Sequence, residues 1–363
     1  MMRRGSSDIS SFPCQPPPTH GEFLSDHGGS PSDQDVDATL VSIRHATRSN
    51  NPELRISMCT PNLLSWLCPM ILSPNPSSQT NAIAVVVNLS LEPPNRTRIV
   101  KSGILNLLIG LLRNGADAEA KGLIVAAAHS LSVEEKNRTT IGALGAVPSL
   151  MDVFSGRGEA QMARQDAGMA IYYLTFSADN RGRVVKTNGS VRRLVGVLKG
   201  ADEEDEIKIV GMRIVCNLAR CEEGRSALME VDGVAVMVSL IEKSGINSVV
   251  PERQKCWEDM AYMAAAAVYG MSKGKSLRFR CMAKSANAEE VLSRVLEERG
   301  GAIGEMARRT IQAMRGDGEE EQRDDWYEYT GGRGAGAGGL GMSEPMKRRY
   351  GSFGGNTAVS GPN

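Results

Sequence analysis

The chain is poor in what an ordinary globular core uses for bulk: Phe, Tyr and Trp together make up only 4% of its 363 residues. A single thick core leans on those rings, so thin layers of Leu, Val, Ala and Met are indicated instead. Net charge is absent as well, with 42 basic residues against 42 acidic ones, which excludes a global field that would draw the chain to nucleic acid or to an anionic membrane. No run reaches the roughly 18 apolar residues that a membrane span needs. Met1-Met2-Arg3-Arg4 opens like a signal peptide, but the polar stretch from Gly5 to Ser11 follows in place of an apolar core. These absences lead to the expectation of a soluble, intracellular protein of the cytoplasm and/or nucleus, with no membrane span and no nucleic-acid partner.

Catalytic and metal-binding patterns are missing too. The seven cysteines, Cys14, Cys59, Cys68, Cys216, Cys221, Cys256 and Cys281, form no C-x-x-C pair and are read as small buried hydrophobes in a reducing compartment. His20, His27, His45 and His129 are scattered, and no Ser or Cys with a paired base accompanies them. Gly270 to Ser276 is one residue short of G-x-x-x-x-G-K-[ST] and ends a helical pattern instead of following a strand. Gly334, Gly336 and Gly339 match G-x-G-x-x-G inside a run of Gly and Ala that offers no strand before and no helix after. The acidic run from Asp202 to Glu206 is a solvated loop, and Lys347-Arg348-Arg349 is a solubilising tail in preference to a nuclear-import signal. No catalytic residue, cofactor or metal site is assigned.

What is present is a repeat. Between Asn81 and Gly233 four similar phrases occur, each an apolar stretch ending in Leu, then an Asn-Arg or Gly-Arg pair, then Gly and another apolar stretch. The marks are Leu89, Leu131, Leu174 and Leu218; Asn95-Arg96, Asn137-Arg138, Asn180-Arg181 and Gly224-Arg225; and Gly103, Gly145, Gly189 and Gly233. Each set steps by about 42 to 44 residues, the period of armadillo or HEAT units. Apolar residues at the fifth and eighth places after each Gly (Leu108 and Leu111, Leu150 and Val153, Leu194 and Val197, Val238 and Ile241) share one face of a helix. The Ala- and Val-rich runs before each Leu predict a longer, deeply packed helix, and the Asn-Arg segment predicts a short one between them. Three helices per unit is the armadillo form. Glycine at the junction permits a left-handed turn, and Pro148 fits the first turn of its helix.

The predicted fold is therefore all-α, an α-solenoid of about five to six armadillo repeats over residues 37–315. Residues 1–36 and 316–363, rich in Ser, Pro, Gly and charge, are expected to be disordered. A degenerate first unit fits from Val36 to Ser73, an insertion is expected from Ser244 to Gln254, and Met306 to Met314 is expected to cap the stack. In such a stack the third helices line the concave groove. The residues before the marked Leu, namely Asn88, Ser130, Tyr173 and Asn217, join His129, Tyr172 and Arg213 as candidate protein-binding groups. Asn88 and Asn217 have the donors and acceptors to bond a peptide backbone, and Arg213 suits an acidic or phosphorylated partner.

The phrases NLSLEPPNRTRIVKSG, IGALGAVPSL, NLARCEEGRSALME, YGMSKGKSLRFR and EMARRTIQAMRG resemble the armadillo region of plant U-box E3 ubiquitin ligases, from about Leu40 to Gly316. The resemblance implies recognition of a ubiquitination substrate or a receptor kinase by the repeats. In that family the U-box recruits the E2, and its C-P-I, D-P-V and G-x-T-[YF]-x-R segments are missing from this sequence. The expectation is thus the binding half of a ligase, with an E2 partner only if a U-box is supplied elsewhere. The alternatives are a truncated U-box ligase and an armadillo scaffold outside ubiquitination. Nuclear import receptors resemble this chain in fold but carry Trp where it has Ala84, Ala126, Met169, Arg213 and Ala266, so cargo import is not implied.

Overall fold

The computed structural model describes residues 33–244, 251–274 and 276–316. The expected disorder of the chain ends and most of the expected insertion lie outside those residues. A leading helix, α1 (Asp33–Arg48), starts inside the stretch expected to be lead-in. Six triplets follow: α2 (Pro52–Met58), α3 (Pro61–Ile71) and α4 (Pro76–Ser90); α5 (Pro93–Lys101), α6 (Ile104–Asn114) and α7 (Ala118–Val133); α8 (Glu135–Ala143), α9 (Ala146–Ser155) and α10 (Gln161–Leu174). The series continues with α11 (Ala178–Lys186), α12 (Ser190–Lys199) and α13 (Asp205–Leu218), then α14 (Glu222–Glu230), α15 (Gly233–Ser244) and α16 (Pro251–Ser272). It closes on α17 (Leu277–Ser285), α18 (Ala288–Glu298) and α19 (Gly301–Arg315). There is no strand among the described residues. The helix expected as a cap at Met306–Met314 is α19, which holds the third-helix place of the sixth triplet.

Local sequence sets the helix starts. Pro52, Pro61, Pro76 and Pro93 open α2 to α5, where a missing N–H costs nothing. Asn51, Thr60, Asn75 and Asp117 each accept a backbone N–H from the first turn, satisfying a donor that the helix itself leaves open. From the second triplet on, each short helix passes to the next through a left-handed residue: Gly103, Gly145 and Gly189 have φ of 84°, 79° and 69°, whereas Cys59 and Thr60 join α2 to α3 at negative φ. Gly233 departs from the expectation. Asp232 takes the left-handed conformation there, at φ 61°, and Gly233 is required for another reason, since a Cβ on it would sit 2.7 Å from the Leu228 carbonyl oxygen. In the last unit Asn287 fills the left-handed place, at φ 53°.

The three helix types stack in three rows. Third helices touch in the order α1, α4, α7, α10, α13, α16, α19; second helices run α3, α6, α9, α12, α15, α18, and first helices α5, α8, α11, α14, α17. The core lies between the second and third rows and continues through the stack as one apolar layer. From Ile124 to Ser132 every residue of α7 is buried, as a helix packed on all sides requires. Small residues make that depth possible: a Cβ on Gly168 of α10 would come within 2.6 Å of Phe154 and Val210.

Candidate functional site

The Asn-Arg pairs that mark the repeat in sequence tie the stack together. Arg96 donates from Nε to the Ser90 carbonyl at 3.1 Å and from Nη2 to Leu91 at 3.2 Å. Arg138 does the same to Ser132 and Val133, and Arg181 reaches Thr175 and Phe176 from one nitrogen. Arg55 and Arg225 bond Ser49 and Ala219. In all five cases the arginine reaches back six residues and closes the carbonyl end of the preceding third helix, where the helix itself offers the carbonyls no N–H donors. Asn95 and Asn137 cap the marked Leu89 and Leu131 carbonyls in the same way. In the fourth phrase Gly224 replaces Asn because the backbone comes too close, with a Cβ falling 2.0 Å from the Leu218 oxygen. In the first triplet Arg55 also forms a buried ion pair with Glu92.

The residues expected to face a peptide divide into two sets. Asn88 is 5% exposed and Asn217 2%; their side-chain nitrogens donate to Thr47 and Thr175 hydroxyls at 3.1 and 3.0 Å. Ser130 is fully buried and donates to the Ser90 carbonyl at 2.7 Å. In α4, α7 and α13 this position therefore rivets the third helix to the layer before it, and the amide nitrogens of Asn88 and Asn217 are spent on that task. Tyr173 occupies the equivalent place in α10 and breaks the series, since it carries a ring where the others carry a small donor.

His129, Tyr172, Tyr173 and Arg213 do come together. The His129 and Tyr173 rings stack at 5.8 Å, Tyr172 and Tyr173 lie 5.3 Å apart, and Phe176 meets Tyr172 edge-on at 5.0 Å. Two guanidiniums bracket the rings: Arg138 lies 5.1 Å from the centre of Phe176, and Arg213 lies 5.9 Å from that of Tyr172, within the range of cation–π attraction. His129 itself is nearly buried beneath Tyr173, with Nδ1 3.0 Å from Asp166. Two members of the cluster carry no groove signal in the sequence: Arg138 is a mark of the repeat, and Phe176 lies just past the end of α10.

Electrostatics follow from burial. Desolvation raises the Tyr172 and Tyr173 phenols above their usual range, with Arg213 pulling the other way, so both remain neutral hydroxyls at pH 7. Burial lowers the Arg138 guanidinium, which Glu135 opposes, and lowers Arg96, which Glu134 opposes. The Cys216 thiol, close to Arg213, is pushed up to about 12 by burial, too high for a thiolate nucleophile at neutral pH. Cys59 is likewise buried, whereas Cys281 is exposed, contrary to the reading of the cysteines as buried hydrophobes. Gly270 to Ser272, the first residues of the near-match to a phosphate loop, lie inside α16. Among the described residues no group of His, Cys, Asp and Glu is placed to hold a metal ion, and no helix is long and apolar enough to cross a membrane.

No family model matches the chain. In sequence it is 34% identical over 291 residues to U-box domain-containing protein 38 of Arabidopsis thaliana, covering 80% of this chain and 50% of that protein. It is 35% identical over 287 residues to U-box domain-containing protein 41 of the same plant, covering 79% and 48%. The chain thus spans about half the length of these curated relatives. A designed armadillo repeat protein superposes with a TM-score of 0.58 at 18% identity, over 70% of this chain and 99% of its own. Another, solved in complex with the peptide (KR)4, gives 0.57 at 16% identity, over 70% and 98%. The protein is an armadillo-repeat solenoid, and over about four-fifths of its length it is related to plant U-box domain-containing proteins.

Proposed function

We propose that the chain is a recognition solenoid of plant ubiquitination, which holds a substrate or a regulatory partner such as a receptor kinase along its row of third helices. The observation that carries this reading is the surface over α10 and α13. On α4, α7 and α13 the polar group before the marked Leu bonds the preceding layer, whereas on α10 that place holds the Tyr173 ring, half-buried with Tyr172, Phe176 and the Arg213 guanidinium. Support comes from relatives that carry the U-box name and from a solenoid neighbour that holds a peptide. In this reading the chain works in the cytoplasm or nucleus, and the E2 is engaged by a U-box supplied elsewhere.

Two measurements test the division of labour. With purified E1, E2, ubiquitin and ATP this chain forms no conjugates; robust chain formation would assign the transferase activity to it, the rival reading. A photo-crosslinking residue at position 169, in place of Met169, captures partners from plant extract, and the same probe at the exposed Arg183 of α11 does not. Equal capture at the two positions would move recognition away from the third-helix row.

A further inference from the structure

Tyr173 stands where the neighbouring repeats place an inter-helix donor, and its ring joins Tyr172, Phe176, Arg138 and Arg213 in one half-buried patch spanning α8, α10 and α13. The two arginines differ. Arg138 has Nε and Nη2 bound to the Ser132 and Val133 carbonyls and lies within the field of Glu135 and Glu134. Arg213 makes no salt bridge among the described residues, and its recorded hydrogen bond is a long one, 3.8 Å from Nη1 to the Met169 sulphur. Carboxylates nearby are already engaged, Asp166 with His129 and Glu134 with the Arg96 and Arg138 pair. The patch therefore offers one uncommitted guanidinium beside neutral phenol hydroxyls and an apolar ring surface.

We infer that this patch binds an extended peptide segment through a carboxylate side chain, with Arg213 as the charge partner and the Tyr172, Tyr173 and Phe176 rings receiving the adjoining apolar residue. Three features select a carboxylate. A single free guanidinium matches one negative charge, and its planar fork fits two oxygens. The tyrosine hydroxyls, held neutral, donate without repelling an anion. A phosphate dianion calls for a second free cation, and Arg138 has its Nε and Nη2 bound to helix carbonyls. The charge is also opposite to that needed for a basic peptide. The inference rests on the third-helix row being the recognition surface, which the crosslinking comparison tests separately.

The test uses the full chain and four fluorescein-labelled peptides, (Glu-Leu)4, (Gln-Leu)4, (Lys-Leu)4 and (phosphoSer-Leu)4, followed by fluorescence anisotropy. (Glu-Leu)4 binds most tightly, its affinity falls as salt is raised, and Arg213→Gln weakens it about tenfold while leaving (Gln-Leu)4 unchanged. Arg213→Lys retains part of the affinity. Circular dichroism of the variants matching the parent shows that the loss is local. Equal binding of (Gln-Leu)4 or (Lys-Leu)4 would overturn the acidic assignment and leave the row a peptide site. Tighter binding of (phosphoSer-Leu)4 would replace the carboxylate by phosphate. No binding by any of the four would end this inference, without touching the crosslinking result.

Discussion

A guanidinium that reaches back six residues explains why the Asn-Arg phrase recurs. Arg96 is 3% exposed and closes the Ser90 and Leu91 carbonyls at the end of α4; once it is removed, Ser90 keeps the Ser130 hydroxyl as a donor and Leu91 loses its side-chain donor. Arg96→Ala should therefore lower the unfolding free energy by about 1–3 kcal/mol, the cost of one orphaned buried acceptor plus the lost side-chain packing. Arg96→Lys should recover only part, because one ammonium cannot fork across both oxygens. Urea titration followed by circular dichroism checks this, and a loss under about 0.5 kcal/mol would make the phrase ornamental. The same residues show what the sequence made legible. Recurrence fixed the place of every arginine but not its task, since a buried cap and an exposed groove contact leave the same mark. Asn88 and Asn217 look like peptide donors in the sequence for that reason; their partners, Thr47 and Thr175, lie one repeat upstream and become visible only when the helices are stacked.

At the scale of the element, the junction between first and second helices takes one left-handed residue in every triplet but the first, and the chain supplies it in two ways. A Cβ on Gly103 would meet nothing within 4 Å, so Gly103→Ala should cost only the backbone term, about 1–2 kcal/mol. Gly233→Ala should cost more although its φ is not left-handed, because the Cβ would press on the Leu228 carbonyl. Asp232→Gly should stabilise by about 0.5–1 kcal/mol, since glycine enters φ 61° without strain. Thermal unfolding of the three variants decides the order, and an Asp232→Gly protein less stable than its parent would show that the Asp side chain contributes at that turn. Glycine periodicity was enough to place these junctions. It could not separate a glycine chosen for φ from one chosen for close approach, because both demands select the same residue.

Across the whole molecule, each triplet touches chiefly its neighbours, so stability should vary with position instead of being shared by one core. The third helices α7 and α10 are covered on both sides, whereas α1 to α3 and α17 to α19 have a full neighbour on one side among the described residues. Hydrogen exchange read by mass spectrometry should show amides of α7 and α10 exchanging slowest, with rates rising stepwise toward both ends. A single common exchange rate for all triplets would instead require one cooperative unit and would contradict a nearest-neighbour stack. The gradient also bears on recognition. The ring and arginine patch is carried by α8, α10 and α13, in the middle of the row, where local opening is rarest, so its geometry is held before a partner arrives and little ordering remains to be done on binding. Weakening an end layer should then lower overall stability while leaving affinity for a bound peptide almost unchanged. Replacing buried Leu64 of α3 by Ala, at a cost of about 2–5 kcal/mol to that layer, makes the comparison, and a parallel loss of peptide affinity would mean that the layers are coupled along the stack.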